Sequence, residues 1–404
     1  MSSRHAITAV AIANCLGTRN ETVFARAFSG EDGFRPAAAY FAFPFETELG
    51  VMPSMDRDGD GDADGDADAL ASARTRVARV ALASVRQLGS AVRAAIARWG
   101  PRRVAYVFAS STGGLEHTER HLAPHASLPA GSYAYADHGI DATAAAFASH
   151  LGALGLRAAV ATACSSSLKA LATAARFIDH GLADAAVVGS ADSLCRTIIF
   201  GFHGLGLLAP TATRPFARDR HGLTLGEGSA YLLLERAGPE TARDALGWLG
   251  GVGASSDAYH QTSPHPDGAG AELAMRQALE RAGLEASDID LVSAHATGTL
   301  LNDAVEGAAL ARVFGAAVPI TATKSLTGHT LGSSGLTALV LAVESLRRHQ
   351  IPPTLRSDPV DPSLDLTVVR KLTPAPLENV LVNAFGFGGS NASVVVSARG
   401  PGPA

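Results

Sequence analysis

The sequence predicts an α/β fold assembled from two similar halves, and three observations predict it. Short β-branched or alanine-rich runs ("RRVAYVFAS", "RAAVATA", "DAAVVGSAD", "IDLVSAHAT", "VPITATKS") alternate with helical patterns such as 168–180 and 270–283. That is the pattern of buried strands joined by helices. Two segments echo one another: "GEGSAYLLLER" (226–236) and "GGSNASVVVSAR" (388–399) each start on glycines, continue as an apolar strand and end in arginine. Finally, 404 residues suit two halves packed on each other, 1–245 and 246–404, better than independent domains.

Composition narrows the function. Hydrophobic residues make up 47% of the chain and charged residues 18%, enough apolar surface for a large core. A net charge of −5 leaves no electrostatic footprint for nucleic acid. The three cysteines, Cys15, Cys164 and Cys195, are too few for a disulfide framework and lack the paired spacing of a zinc site. The expectation is therefore a reducing, cytoplasmic setting and no metal. No apolar run approaches the roughly 18 residues of a membrane span. The N-terminal "MSSRHAITAVAIANCLG" imitates a signal sequence, but Asn14 stands where a lipoprotein-type cleavage site needs a small residue, so the segment reads as a first buried strand.

One segment departs from this balance. "DRDGDGDADGDAD" (56–68) begins like a calcium loop at Asp56, Asp58, Asp60 and Gly61, yet its twelfth position is Ala67 where a bidentate glutamate belongs. It reads as a solvated acidic loop. The helical pattern after it carries Arg74, Arg76 and Arg79 on its early turns.

The chemistry starts at "ATACSSSLKAL" (161–171), where a cysteine stands among three serines. Residues 156–163 read as a strand, and the apolar positions 168, 171, 172, 175 and 178 form one helical face. Cys164 thus falls at a strand-to-helix junction, beside free N–H groups and the positive end of the helix dipole, an environment that favours thiolate. A thiolate leaves far more readily than an alkoxide, so cysteine suits a thioester relay where serine does not. Position alone also admits a packed structural cysteine; Cys195, in "ADSLCRT", reads as one.

"SAHATGTLLNDAVEG" (293–307) delivers His295 from a strand to a Thr/Gly-rich turn, and "TATKSLTGHTLGSSG" (321–335) does the same for Lys324 and His329. Neutral imidazoles can hold a carbonyl oxygen as it gains negative charge, with a lysine supplying fixed positive charge beside them. A single such histidine is usually a hydrogen-bonded structural group; two joined by a lysine are harder to dismiss. "NAFGFGGSN" (383–391) adds a tight turn whose glycines let a backbone N–H approach a substrate.

Taken in order, "TACSSS", "PFARDRHGLTLGEGSAYLLLE", "AHATGTLLND", "KSLTGHTLGSSG" and "NAFGFGGSN" make the chain resemble the β-ketoacyl-acyl carrier protein synthases, condensing enzymes of the thiolase fold. The resemblance runs through nearly the whole chain. It implies a thiolase-like duplicated αβαβα fold in five layers, usually dimeric, with no cofactor beyond the phosphopantetheine on which an acyl carrier protein presents the substrates. It implies that Cys164 takes an acyl chain as a thioester. His295 and His329 then bind the malonyl carbonyl and stabilise the enolate formed as CO₂ leaves, and Lys324 supports them. By the same resemblance the backbone N–H groups of Cys164 and Phe387 form an oxyanion hole and Phe387 gates the acyl pocket. Thr262, Thr297 and Thr299 hold the pantetheine arm, and Asp303 and Glu306 are a supporting acidic pair. Arg74, Arg76 and Arg79 are the expected carrier-docking residues.

Two departures bear on these roles. Ala338 stands fourteen residues after Lys324, where family members commonly carry a glutamate, with Glu306 as the available substitute. Ala296 replaces a usual glycine, which reads as a small change. Residues 162–208 resemble synthases of aryl polyene or type II polyketide pathways more than housekeeping fatty-acid elongation enzymes. Two other readings remain at this point: a chain-length-determining partner subunit, which would lack the nucleophile, and a degradative thiolase, which tends to carry a cysteine in place of one histidine.

Overall fold

The computed structural model describes residues 5–53, 73–122 and 133–400; the acidic segment 56–68 and its calcium-loop reading lie outside them. Eleven strands form the main sheet. The first half supplies β1 (His5–Asn14), β2 (Val104–Ala109), β3 (Arg157–Val160), β4 (Ala185–Asp192) and β5 (Gly228–Glu235). The second supplies β6 (Gly247–Ser256), β7 (Leu291–Ser293), β8 (Pro319–Thr321), the short edge strand β9 (Thr367–Val368), β10 (Asn379–Gly386) and β11 (Ser390–Ser397). All five runs picked out as strands lie in this sheet, and residues 5–14 form a central strand.

The spatial order is β3-β2-β4-β5-β1 continuing as β6-β11-β10-β7-β8-β9. Leaving aside the edge strand β9, each half repeats one pattern: the third strand beside the second, then the fourth, fifth and first. Hydrogen bonding repeats too. β2 is parallel to β3 and β4, and β7 is parallel to β8 and β10, whereas the β4–β5–β1 and β10–β11–β6 pairs are antiparallel. The echoing segments 226–236 and 388–399 hold equivalent places, as β5 and β11.

Side-chain alternation shows how the layers form. In β2, Ala105, Val107 and Ala109 face one core while Val104, Tyr106 and Phe108 face another. In β10, Val380, Val382 and Ala384 share that first core and Leu381 and Phe385 face a third. A strand with both faces apolar must be covered on both. Helices α1 (Arg76–Trp99) and α2 (Ile140–Leu151) cover the outer face of the first half, and α4 (Ala269–Ala282) and α5 (Leu300–Phe314) that of the second. Between the halves lie α3 (Ser166–Asp179) and α6 (Ser334–Arg348), packed on each other and on strands of both. These are the five layers the resemblance implies. Among the described residues no helix is long and apolar enough to cross a membrane.

α1 starts where Thr75 accepts a hydrogen bond from the Ala78 N–H at 3.2 Å, an N-cap. Its Arg76 does not face solvent. The guanidinium makes a bidentate pair with Glu227, 2.7 and 2.8 Å, and Glu227 is fully buried. The expectation that Arg76 docks a carrier is thereby corrected: its charge neutralises a buried carboxylate inside the protein.

α4 lies so close to β6 that no Cβ fits between them. A Cβ on Gly253 would stand 1.8 Å from the Ala274 carbonyl oxygen, and one on Gly251 2.3 Å from that of Ala278. Because the obstacle is helix backbone, Gly253→Ala must push α4 off the sheet. We expect a loss of about 2–3 kcal/mol, read as a lower denaturant midpoint; an unchanged midpoint would refute this close packing.

Candidate active site

The site forms where the parallel strands of both halves end. After β3 the chain does not enter its helix directly: Ala163 takes a left-handed φ of 52°, and α3 begins only at Ser166. This turn shortens the expected strand 156–163 to 157–160 and lifts Cys164 to the junction, where the residue is 7% exposed. The Ser111 hydroxyl donates to the Ala163 carbonyl at 3.1 Å and braces the turn. Strain of this kind persists only where surrounding contacts enforce it.

His295 follows β7, and His329 lies beyond the short helix Lys324–Thr327 that follows β8. Both are buried. His329 Nε2 lies 3.1 Å from the Cys164 sulfur, and the imidazole rings stand 5.5 Å apart at 86°. The Lys324 ammonium donates to the His295 carbonyl and meets His295 Nδ1 at 3.2 Å. An ammonium has no acceptor, so Nδ1 accepts and the His295 proton sits on Nε2. His329 Nδ1 is buried without a partner among the described residues, and a lone pair tolerates that better than an N–H does, which assigns its proton to Nε2 as well. Burial, reinforced by the Lys324 charge, holds both imidazoles well below their ordinary pKa. The site thus contains two neutral N–H donors next to a sulfur.

The thiol departs from the sequence expectation. Burial pushes Cys164 up to about 11, although Lys324 and the backbone N–H groups of Phe387 and Cys164 pull it down. Desolvation outweighs the helix end, so the resting sulfur is a thiol rather than a thiolate. Those two N–H groups nevertheless face the sulfur. The Phe387 ring stacks on Phe202, centroids 5.5 Å apart.

Carboxylates hold the turns. Glu306 accepts from the His295 and Ala296 N–H groups at 2.7 and 2.6 Å and from Asn383 at 3.3 Å. Ala296 has a φ of 40°, so its replacement of glycine is not the small change expected: a β-carbon occupies a left-handed turn. Asp303 accepts from Phe216 N–H at 2.7 Å and Gly298 N–H at 3.1 Å. Burial lowers Lys324 to about 8, opposed first by the charge of Glu306, which acts where the usual glutamate is replaced by Ala338.

The pantetheine candidates divide. Thr297 and Thr299 are buried neighbours, hydroxyls 3.0 Å apart, and Thr299 also caps α5 by accepting from Asn302 N–H. Thr262 lies half-buried on the separate segment 257–265, its N–H bonded to His260. Arg74, just before the N-cap of α1, pairs with Asp137 at 3.2 Å, and Arg79, in the first turn of α1, contacts the Arg74 carbonyl; both lie outside the cluster. Asp192 was missed. It ends β4 fully buried and accepts from Ser110, Ser111, Thr112 and Ser333, tying the turn after β2 to the segment carrying His329. An acid closing an apolar strand, "VVGSAD", was the available signal.

The Cys164, His295 and His329 donor atoms lie within 4.8 Å of one another, a set that invites a metal reading. Tetrahedral zinc draws N and S donors to about 3.5 Å, and the Lys324 ammonium would oppose a second cation here. The set fits a reaction centre better.

A family model for the beta-ketoacyl synthase N-terminal domain matches residues 4–239, and one for the beta-ketoacyl synthase C-terminal domain matches 246–358. The chain belongs to the beta-ketoacyl synthase family. The chain is 39% identical over 245 residues to 3-oxoacyl-[acyl-carrier-protein] synthase 2 of Mycobacterium bovis, an alignment covering 58% of this chain and 59% of that protein. The match thus spans less than two thirds of that relative's length. Among solved structures it resembles a chain of the complex of the ketosynthase ApeO with its chain length factor ApeC from Xenorhabdus doucetiae (TM-score 0.89, 34% identity, 98% of each chain). It also resembles the ishigamide ketosynthase/chain length factor (TM-score 0.88, 27% identity, 99% of this chain and 100% of that one).

With the Cys164 thiol near 11, its alkylation by iodoacetamide should rise about tenfold per pH unit from 7 to 8. Above about 8 the slope should flatten as Lys324 loses the charge that holds the sulfur's pKa down. A plateau reached below pH 7 would show a thiolate instead.

Proposed function

We propose that this chain is a β-ketoacyl-acyl carrier protein synthase, an acyltransferase that lengthens a carrier-bound acyl chain by two carbons. One observation carries the reading: two neutral imidazole N–H groups and a nucleophilic sulfur converge on one buried point. In the first step the Cys164 sulfur attacks an acyl-carrier thioester. The tetrahedral oxyanion rests on the Cys164 and Phe387 N–H groups, the carrier thiolate leaves, and the Cys164 proton ends on it. In the second, the malonyl thioester carbonyl lies on His295 and His329 Nε2–H while its C–COO⁻ bond breaks to release CO₂. The enolate left behind attacks the acyl-Cys164 carbonyl, the C–S bond breaks to leave Cys164 as a thiolate that regains its proton from solvent, and the β-ketoacyl product departs on the carrier.

Neutral histidines suit this step, because an imidazolium would protonate the carbanion that has to form the new bond. Thr297, Thr299 and Thr262 line the pantetheine approach in this reading, and Phe387 gates the acyl pocket. No further cofactor enters the scheme. The repeat units are 1–245, with the nucleophile, and 246–404, with the histidines and lysine. The three free cysteines favour the cytoplasm.

The acyl carrier protein is one partner, met by Arg74 and Arg79. The second is another thiolase-like subunit, a copy of this chain or a chain-length-factor homologue. The likeness to two ketosynthase/chain length factor structures over 98% or more of this chain supports that, as does β3, an outermost strand beside Leu154 and Leu156, exposed at 61% and 42%. The intact Cys–His–His set assigns this chain the synthase role within such a pair. It also speaks against a thiolase; the resemblance carried by residues 162–208 is what supports an aryl polyene or polyketide-type pathway over housekeeping elongation.

Incubation with malonyl-carrier and a panel of acyl-carriers, with mass spectrometry of products, tests this. Cys164→Ala should abolish condensation. His295→Ala should slow malonyl decarboxylation by about 10²–10³ while leaving Cys164 acylation measurable. Condensation by the Cys164→Ala protein would overturn the reading. Separately, Arg79→Glu should raise the KM for carrier several-fold without changing kcat, and an unchanged KM would remove Arg79 from the docking surface.

A further inference from the structure

Lys169 lies in the first turn of α3, five residues after the nucleophile. Three features make it a costly place for a cation. The side chain is half-buried, and burial lowers its pKa. The helix end beside it carries partial positive charge. Among the described residues it makes no ion pair with a carboxylate. What the ammonium does contact is the Ser390 hydroxyl, at 2.5 Å.

Ser390 closes the turn Phe387–Gly389, in which Gly388 and Gly389 both have left-handed φ values, 75° and 72°. Two successive glycines leave that backbone little rigidity of its own. Backbone contacts fix one side, Gly388 N–H to the Gln261 carbonyl at 2.7 Å and Asp257 N–H to the Gly389 carbonyl at 2.9 Å. Ser390 itself is paired with Gly386 and Ser256 in the sheet, and among the described residues side chains add the contacts towards the nucleophile. Ser390 Oγ lies 2.9 Å from Ser165 Oγ, and Ser165 donates to the Thr162 carbonyl at 2.8 Å.

Proton counting gives this chain a direction. Ser165 uses its only hydrogen on Thr162, so it accepts from Ser390. Ser390 has then used its own hydrogen and offers only lone pairs, which suits a donor with no acceptor. Lys169 is that donor, and a charge-assisted hydrogen bond is stronger than a neutral one.

We propose that Lys169 is a positioning residue for the acyl-transfer step: through Ser390 it locks the turn that aims the Phe387 N–H at the Cys164 sulfur. This rests on the proposed ketosynthase reading. The ammonium touches no reacting atom. Its role is to keep the oxyanion donor in place before the substrate arrives, which is where such a donor gains its effect.

The test is single-turnover acylation of the full-length protein by an acyl-carrier thioester, with the Cys164 peptide followed by mass spectrometry. Lys169→Met should lower the saturating rate about tenfold and leave the half-saturating concentration within twofold. Ser390→Ala should do the same, and the double variant should be no slower than either single one. Lys169→Arg, which keeps a charged donor, should recover most of the rate. A general structural role would instead give additive losses, a shifted half-saturation and no rescue by arginine, and any of these overturns the proposal. So does a Lys169→Met rate within twofold of the unaltered protein. If the unaltered protein itself shows no acylation, it is the ketosynthase reading that fails, an outcome distinct from the others.

Discussion

The protonation of the whole site depends on one buried cation. Lys324 points at the carbonyl and Nδ1 of His295, and because an ammonium can only donate, it fixes that ring with its Nε2 proton towards the cavity. The same charge lowers the pKa of both histidines and draws the thiol's down against burial. Replacing it by a neutral group would free the His295 tautomer, weaken the preference for neutral imidazoles and raise the thiol further. A buried ammonium without a directly bonded carboxylate is itself expensive. Burial brings it down to about 8, so the charge on which the site relies is held with little margin.

That small margin gives the departure at Ala338 its meaning. Glu306 does not bond Lys324. It grips the His295 and Ala296 N–H groups and acts on the lysine through space. One carboxylate therefore does two jobs: it holds a turn strained by a β-carbon at Ala296, and it offsets a buried charge. Asp192 organises the opposite wall in the same manner, with Ser110, Ser111, Thr112 and Ser333 converging on it. The catalytic candidates are few because most polar groups around them hold backbone.

Much of this was legible in the sequence, for identifiable reasons. Strand positions followed from apolar runs, and the duplication from two glycine-led strands. Cys164, His295, Lys324 and His329 were found because each stands at the end of such a run in a turn of small residues. Three things were not legible. The thiol's protonation depends on how completely the sulfur is desolvated, which no spacing reveals. The internal use of Arg76 depends on Glu227, 151 positions away, arriving beneath it. The strain at Ala296 depends on a backbone angle that only the folded turn shows. All three arise from long-range packing, whereas motif and periodicity report short-range order.

The duplication explains why the site needs both halves. Equivalent strands end at the same face of the sheet, so the loops after β2 and β7, after β3 and β8, and after β4 and β10 form matched pairs. Their chemistry has diverged. The loop after β3 carries Cys164, and that after β8 leads to Lys324 and His329. The loop after β7 carries His295, whereas its counterpart after β2 carries Ser111, which braces the nucleophile's turn. β4 ends in the buried Asp192, and β10 runs into the Phe387 turn. A gene for a single half would encode either a sulfur without its donors or donors without a sulfur. Contacts that cross between the halves, His329 to Cys164, Ser333 to Asp192 and Ser390 to Ser165, are therefore what turns two similar scaffolds into one reaction centre.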